Sequence, residues 1–369
     1  MRVLMISKAV VVGIYQRKLE EIAQLPDVSL TVIVPPVWRD PSGDILLERA
    51  YTKGYDLLVE PLRFNGNFHL HYFPTLARRL HDLYPDVVHI DEEPYNLAAW
   101  HSLMLARRAG AKTLFFSWQN ILKRYPIPFS FGERYVMNHV DYAIAGTDSA
   151  AEVWREKGYR GPLAVIPQFG VDPVLFSPSE RPSDKIFTVG YVGRLVPEKG
   201  VDLLICALAN LPGAWQLHII GQGQERELLE RLVCDLNLKD HVKFIGQKPS
   251  VQMPEFYRQL DVLVVPSRTL PNWKEQFGRV ITEAMACGVA VIGADSGAIP
   301  DIIGDSGLIF PEDNQQALQT CLITLMQDRD LRSRLSTQGR ARVLDKFTHA
   351  RIAAQTVEVY HALLHKSSL

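Results

Sequence analysis

Short apolar runs, each leading into a stretch whose apolar residues recur at helical spacing, alternate along most of this chain, and few folds accommodate that pattern. In the first half the runs are residues 3–6, 30–34, 87–90, 113–116, 142–145 and 163–166. Helical periodicity lies over residues 15–24, 73–83, 97–108 and 149–157. Strand-like runs that alternate with helical stretches in this way fit parallel strands joined through helices. A parallel, doubly wound α/β sheet is the architecture that covers them. Residues 169–186 (FGVDPVLFSPSERPSDKI) then lose any apolar period and collect Pro, Ser and Asp, as a linker does. The alternation restarts with runs at 187–192, 217–220, 242–245, 262–265, 290–292 and 307–310. Helical stretches fall at 201–210, 225–236, 253–259, 280–287 and 315–327, and residues 332–365 close the chain as one or two helices.

Two doubly wound Rossmann-like domains in tandem follow from this. Expected boundaries are 1–172 for the first domain, 173–185 for the linker and 186–345 for the second. A last helix over 346–369 is expected to pack back towards the first. Ligands of such sheets bind outside the carboxyl ends of the strands. Facing each other, the two crevices would make the interdomain cleft the deepest site.

Charge forces no partner. Forty Lys and Arg balance 41 Asp and Glu, without the basic excess of a nucleic-acid footprint. The four cysteines, Cys206, Cys234, Cys287 and Cys321, show no metal-ligand spacing and read as reduced thiols of a cytoplasmic protein. No apolar run approaches the roughly 18 residues of a membrane span. The opening MRVLMISKAVVVGIY carries Lys8 within it and reads as a strand and turn rather than a signal peptide. Peripheral contact with a membrane stays open. The pairs Lys123-Arg124 and Arg78-Arg79 fit either an anionic acceptor or plain solvated charge.

Two segments concentrate chemistry. In GYVGRLVPEKGVDLLICAL, a strand enters a glycine-flanked turn carrying Arg194 and Lys199 before a helix opens. Two cations at a helix N-terminus suit a diphosphate. A surface turn with solvated charges fits this segment, taken alone, equally well. In SRTLPNWKEQFGRVITEAMACG, Glu275 and Glu283 stand either side of Gly278, Glu275 in a loop and Glu283 inside a helix. Carboxylates accept from vicinal hydroxyls. An acid that merely favours a helix dipole is the plain alternative.

Taken together, Gly193-Arg194-Leu195, Glu198-Lys199-Gly200, the Gly221-Gln222-Gly223 turn, Val265-Pro266-Ser267 and Glu275 to Gly288 resemble, in order and spacing, the retaining glycosyltransferases of family 4 with the GT-B fold. The likeness spans residues 186–313 and, more weakly, 85–178. It implies transfer of a sugar from a nucleoside-diphosphate sugar, UDP- or GDP-linked, to a hydroxyl acceptor, with retention and with no metal or other cofactor. It further implies Arg194 and Lys199 on the diphosphate, Glu275 on the donor sugar and Glu283 on the ribose. Gly193, Ile245, Phe277, Gly278, Arg279 and Val280 complete the implied donor set.

The first domain departs from the family pattern. Gly13 alone stands where paired glycines are common, with Lys8 nearby, and Gln119 and Asn120 replace a usual His. These four are the expected acceptor-side or sugar-side residues. Competing readings are a nucleotide-sugar epimerase and a sensor or scaffold that binds without chemistry. A nicotinamide dehydrogenase lacks its Gly-x-Gly-x-x-Gly after the first strand of either domain.

Overall fold

This computed structural model describes residues 1–40, 43–179 and 186–365. Contacts divide the chain into two units: Met1–Gly170 with His349–Leu369, and Val171–Thr348.

In the first unit the chain forms β1 (Arg2–Ile6), α1 (Arg17–Ala23), β2 (Ser29–Val34), the hairpin β3 (Val37–Asp40) and β4 (Gly43–Leu46), β5 (Asp56–Val59) and α2 (Leu76–Leu83). It continues through β6 (Val87–Ile90), α3 (Leu97–Arg108), β7 (Lys112–Ser117), α4 (Phe129–His139), β8 (Tyr142–Ala145), α5 (Asp148–Glu156) and β9 (Leu163–Val165). Seven strands make one parallel sheet in the order β5-β2-β1-β6-β7-β8-β9. Because side chains alternate across a strand, each apolar run feeds two cores. Val3, Met5, Val32 and Val34 pack with Leu19 and Ile22 of α1 on one face. Leu4, Ile6, Ile33 and Val88 pack with Leu80, Leu103, Val136 and Trp154 on the other.

The second unit contains β10 (Phe187–Val192), α6 (Val201–Leu208), β11 (Trp215–Ile220), α7 (Arg226–Asp235), β12 (Val242–Ile245), α8 (Met253–Tyr257) and β13 (Val262–Val265). After these come α9 (Arg279–Ala286), β14 (Ala290–Ala294), α10 (Ile299–Ile303), β15 (Leu308–Phe310), α11 (Gln315–Gln327) and α12 (Arg329–Lys346). Its parallel sheet runs β12-β11-β10-β13-β14-β15. Val189, Leu217, Val264 and Ile292 meet Leu204, Leu208, Leu229 and Leu322 in its main core.

Of the expected linker, residues 173–179 belong to the second unit, together with residues 171–172 that were expected in the first domain, and 180–185 lie outside the described residues. Arg340 of α12 donates to the carbonyls of Pro173 and Phe176, and Arg258 to that of Ser177. Phe176 is buried. The final helix, α13 (His349–His365), belongs to the first unit, where Ile352, Val357, Tyr360 and Leu363 complete the core beside α1; residues 366–369 of the expected last helix lie outside the described residues.

Most predicted elements recur within two or three residues of their expected ends. Four were not read from sequence: the β3–β4 hairpin, β5, α4 and α10. Each is short or carries a helix breaker. In α4 the breaker is Gly132, where a Cβ would stand 1.7 Å from the Trp100 ring. Close packing on α3, not local propensity, therefore sets that helix.

Tyr360 Oη lies 2.7 Å from Nδ1 of buried His89, tying α13 to β6. Tyr360→Phe strands a buried imidazole nitrogen and should lower unfolding free energy by about 1–3 kcal/mol, read from urea midpoints; an unchanged midpoint would count against this tie.

Candidate functional site

Sheet order dictates where each unit opens. In the second unit β10 connects to β11 on one side, and its other neighbour, β13, connects to β14 on the opposite side. Divergence of these connections leaves a crevice at the carboxyl ends of β10 and β13. The turn after β10 carries Arg194 and Lys199, and the loop after β13 carries Ser267, Trp273 and Glu275.

Glycines let these segments approach. A Cβ on Gly200 would stand 2.1 Å from the Pro266 carbonyl oxygen, and one on Gly221 would stand 1.8 Å from that of Gly193. Gly200 (φ 63°) and Gly278 (φ 72°) adopt left-handed backbone as the N-caps of α6 and α9. Left-handed backbone favours glycine at both positions. Each leaves a helix N-terminus, with its unpaired amides and partial positive charge, beside the loop it follows.

Lys199 Nζ donates to Glu275 Oε2 at 2.5 Å, Ser267 Oγ donates to the same oxygen at 3.2 Å, and the ammonium lies 4.8 Å from the centre of the Trp273 ring. Only 18% of the Lys199 side chain and 12% of the Glu275 side chain are exposed. The Glu275 backbone is pinned as well, since its carbonyl accepts from Ala298 N at 3.1 Å and Gly297 leaves no room for a Cβ there.

Glu283 is buried on α9, where it accepts from Tyr257 Oη at 2.8 Å and meets Arg279 Nε at 3.2 Å. Burial pushes its carboxyl above the ordinary range, opposed by Arg279 and the Tyr257 hydrogen bond. Arg194 points into solvent, 66% exposed and 3.7 Å from Glu198, while Tyr191 Oη donates to its carbonyl. Phe277 is buried edge-on to Phe347. Val280 is half-buried on the first turn of α9, beside Arg279. Gly193 follows β10 and Ile245 ends β12, on either side of β11, where the Gly193 amide donates to the Ile220 carbonyl and the Gly221 amide to that of Ile245.

Lys199 and Glu275 therefore meet directly, and Glu283 meets Arg279. Ser267, Tyr257, Tyr191 and Gly297 were missed as site residues in the sequence reading. Ser267 carried a local signal in the Val265-Pro266-Ser267 motif, and Gly297 in the ADSGAIP turn after β14.

The first unit opens between β1 and β6 by the same rule. Three consecutive acids follow β6, each with its own donors. Asp91 accepts from Ser7 Oγ at 2.5 Å and Gln168 Nε2 at 2.7 Å. Glu92 is paired with Lys8 and lies 3.2 Å from His71 Nε2. Burial pushes Glu92 up, but Lys8 and His71 outweigh it and hold the carboxyl down at about 2. Glu93 accepts from Ser117 Oγ at 2.6 Å and Trp118 N at 2.8 Å. Burial, with Glu92 adding, raises Glu93 to about 7 against those two donors and Lys8.

The expected acceptor-side residues divide. Lys8 is committed to Glu92. Gln119 is buried and accepts from Lys157 at 3.0 Å through Oε1. Asn120 is buried beside it. Gly13 sits apart in a turn, its amide donating to Glu48 Oε2 at 2.6 Å.

Among the described residues no group of three His, Cys, Asp or Glu could hold a metal ion. The Asp-x-Asp pair Asp328-Arg329-Asp330 opens α12, where Asp328 caps the Leu331 amide. No helix among the described residues is long and apolar enough to cross a membrane.

Known proteins resemble both units. Residues 175–342 match the family model of glycosyl transferases group 1, and residues 29–175 that of Glycosyltransferase Family 4. A D-inositol 3-phosphate glycosyltransferase of Stackebrandtia nassauensis is 29% identical over 64% of this chain and 57% of its own. A GDP-mannose-dependent alpha-(1-6)-phosphatidylinositol monomannoside mannosyltransferase of Mycolicibacterium smegmatis is 32% identical over 46% of each chain. The chain spans about half the length of the curated relatives it matches. Among solved structures, sucrose-phosphate synthase of Thermosynechococcus elongatus shares the fold with a TM-score of 0.74 at 22% identity, over 99% of this chain and 100% of that one. Anabaena HepE in complex with UDP does so with a TM-score of 0.78 at 21% identity, over 98% and 100%.

Glu93 gives a test of the first unit's acid cluster. Its folded pKa of about 7 lies above the ordinary 4.5. The stability it contributes when protonated is therefore present below pH 4.5 and lost as pH rises towards 7. Relative to wild type, Glu93→Gln should gain stability progressively across that window and level off above it, in urea midpoints taken at stepped pH. A difference that does not change with pH would mean that Glu93 titrates as an ordinary carboxyl.

Proposed function

We propose that this chain, which belongs to the group 1 glycosyltransferases, moves a glycosyl group from a nucleoside-diphosphate sugar to a hydroxyl acceptor, using the crevice of its second unit as the donor site. The observation that carries this reading is the mostly buried Lys199–Glu275 pair between the N-termini of α6 and α9. A buried ion pair contributes little net stability, but a cation beside two helix N-termini is a ready site for a diphosphate.

On donor binding, the diphosphate takes over Lys199, and Arg194 swings in from solvent to join it. Glu275, released from the ammonium, accepts from the sugar hydroxyls. Glu283, oriented by Tyr257 and Arg279, holds the ribose. The bond from the anomeric carbon to the phosphate oxygen breaks with its electron pair on the leaving diphosphate, where both cations stabilise the charge. The acceptor oxygen bonds to the anomeric carbon from the same face, and its proton passes to a phosphate oxygen. Configuration is thereby retained. Two cations and two helix termini supply the positive charge this requires, which supports a reaction independent of metal. The GDP-mannose dependence in one relative's name and the UDP held by HepE support a GDP- or UDP-sugar donor. Free cysteines fit a reducing, cytoplasmic setting.

Thermal-shift screening with UDP, GDP, ADP and their sugars tests the donor site, because a ligand of the folded state alone raises the midpoint. One nucleoside diphosphate should do so in the wild type, and Lys199→Ala should lose most of the shift. No shift with any of them would overturn the donor reading. With the sugar nucleotide so selected, Glu275→Gln should slow release of nucleoside diphosphate about a hundredfold. Release at the wild-type rate would remove Glu275 from the reaction.

A further inference from the structure

The chain leading into α4 leaves three large apolar side chains in solvent: Leu122 (42% exposed), Ile127 (73%) and Phe131 (61%). Phe131, Arg134 and Asn138 follow at helical spacing along α4 and share its exposed face, and Ile127 is exposed just before that helix. That face is fixed. On the other side of α4, Gly132, Glu133 and Val136 are buried, and Gly132 lies too close to Trp100 to accept even a Cβ. The helix has no room to roll and hide Phe131. Tyr125 and Phe129 of the same segment turn inward, Tyr125 stacking on Tyr95 at 4.3 Å and Phe129 lying 5.1 Å from His69.

Cations interleave with these apolar groups. Lys123, Arg124 and Arg134 are exposed, and among the described residues none of the three has an ion-pair partner. Glu133 is the acid that falls among them in sequence, and it is buried and paired with Lys157. The other basic pair noted in the sequence behaves differently, since Arg78 meets Asp82 and Arg79 meets Glu60.

We propose that this segment, with Ile127 and Phe131 exposed among the cations Lys123, Arg124 and Arg134, docks peripherally on an anionic lipid bilayer. Uncompensated positive charge around isolated, outward apolar side chains complements a negatively charged surface into which those side chains insert. Such a surface demands no matching shape, which suits side chains that stand apart rather than line a groove. The proposal is independent of the chemistry of the second unit and is tested without any turnover.

The full chain should co-sediment with vesicles of phosphatidylcholine and phosphatidylglycerol, much less with phosphatidylcholine alone, and less as salt rises. The triple variant Lys123→Glu, Arg124→Glu, Arg134→Glu should weaken partitioning by at least about a hundredfold, taking about fivefold for each neutralised cation. The double variant Ile127→Ser, Phe131→Ser should bind less well while keeping the wild-type thermal midpoint, because both positions are solvent-exposed. Arg78→Glu should bind as wild type. Failure of the wild type to bind phosphatidylglycerol vesicles would overturn the proposal, as would undiminished binding by the triple or double variant. A dimer in sedimentation equilibrium that Phe131→Ser dissolves would assign the face to a second copy instead.

Discussion

Lys199 and Glu275 are brought together because the second unit's sheet reverses its winding between β10 and β13. Each residue lies on the loop that leaves one of those strands, and the two loops depart in opposite directions, so the space between them is the one place where the sheet's carboxyl edge stays open. Everything near it is arranged to keep backbone close and amides free. Gly200 and Gly278 turn left-handed to begin helices, Gly221 and Gly297 leave no space for a side chain, and Ser267 and Trp273 hold the charged pair from either side. A pair so little exposed contributes little as a stabilising element; under the proposed function it holds an ammonium in place for an anion that replaces the carboxylate.

The first unit uses the same topological break differently. Its opening between β1 and β6 is occupied by Asp91, Glu92 and Glu93, whose donors come from β7 and from the loops after β1, before α2 and after β9. Lys8, the cation nearest this edge in sequence, is neutralised by Glu92 rather than free for a phosphate. Two sheets of like topology thus line their openings differently: a Lys–Glu pair beside two helix N-termini in the second unit, and an acidic network with one carboxyl raised to about 7 in the first.

The architecture was legible in the sequence because strands covered on both faces tend to be apolar throughout, so 3–6, 262–265 and 290–292 announce themselves as unbroken runs. Glu275 and Glu283 were legible because the motif around them is long. What sequence hid were contacts made across the fold. Nothing near Tyr257 in the chain says that its hydroxyl ends on Glu283, and nothing in FSFGERYVMNH says that Gly132 makes it a helix against Trp100. Lys8 was expected on the acceptor or sugar side for the same reason, since its partner Glu92 lies far along the chain. Arg78-Arg79 and Lys123-Arg124 read alike as paired cations, and only the fold separates a neutralised pair from an open one.

A crystal structure of the chain with the nucleoside diphosphate that most raises its thermal midpoint is the most direct test of the exchange at Lys199. The diphosphate should lie within hydrogen-bond distance of Lys199 at the N-termini of α6 and α9, with Glu275 parted from the ammonium. A diphosphate bound elsewhere while Lys199 and Glu275 stay paired would contradict it.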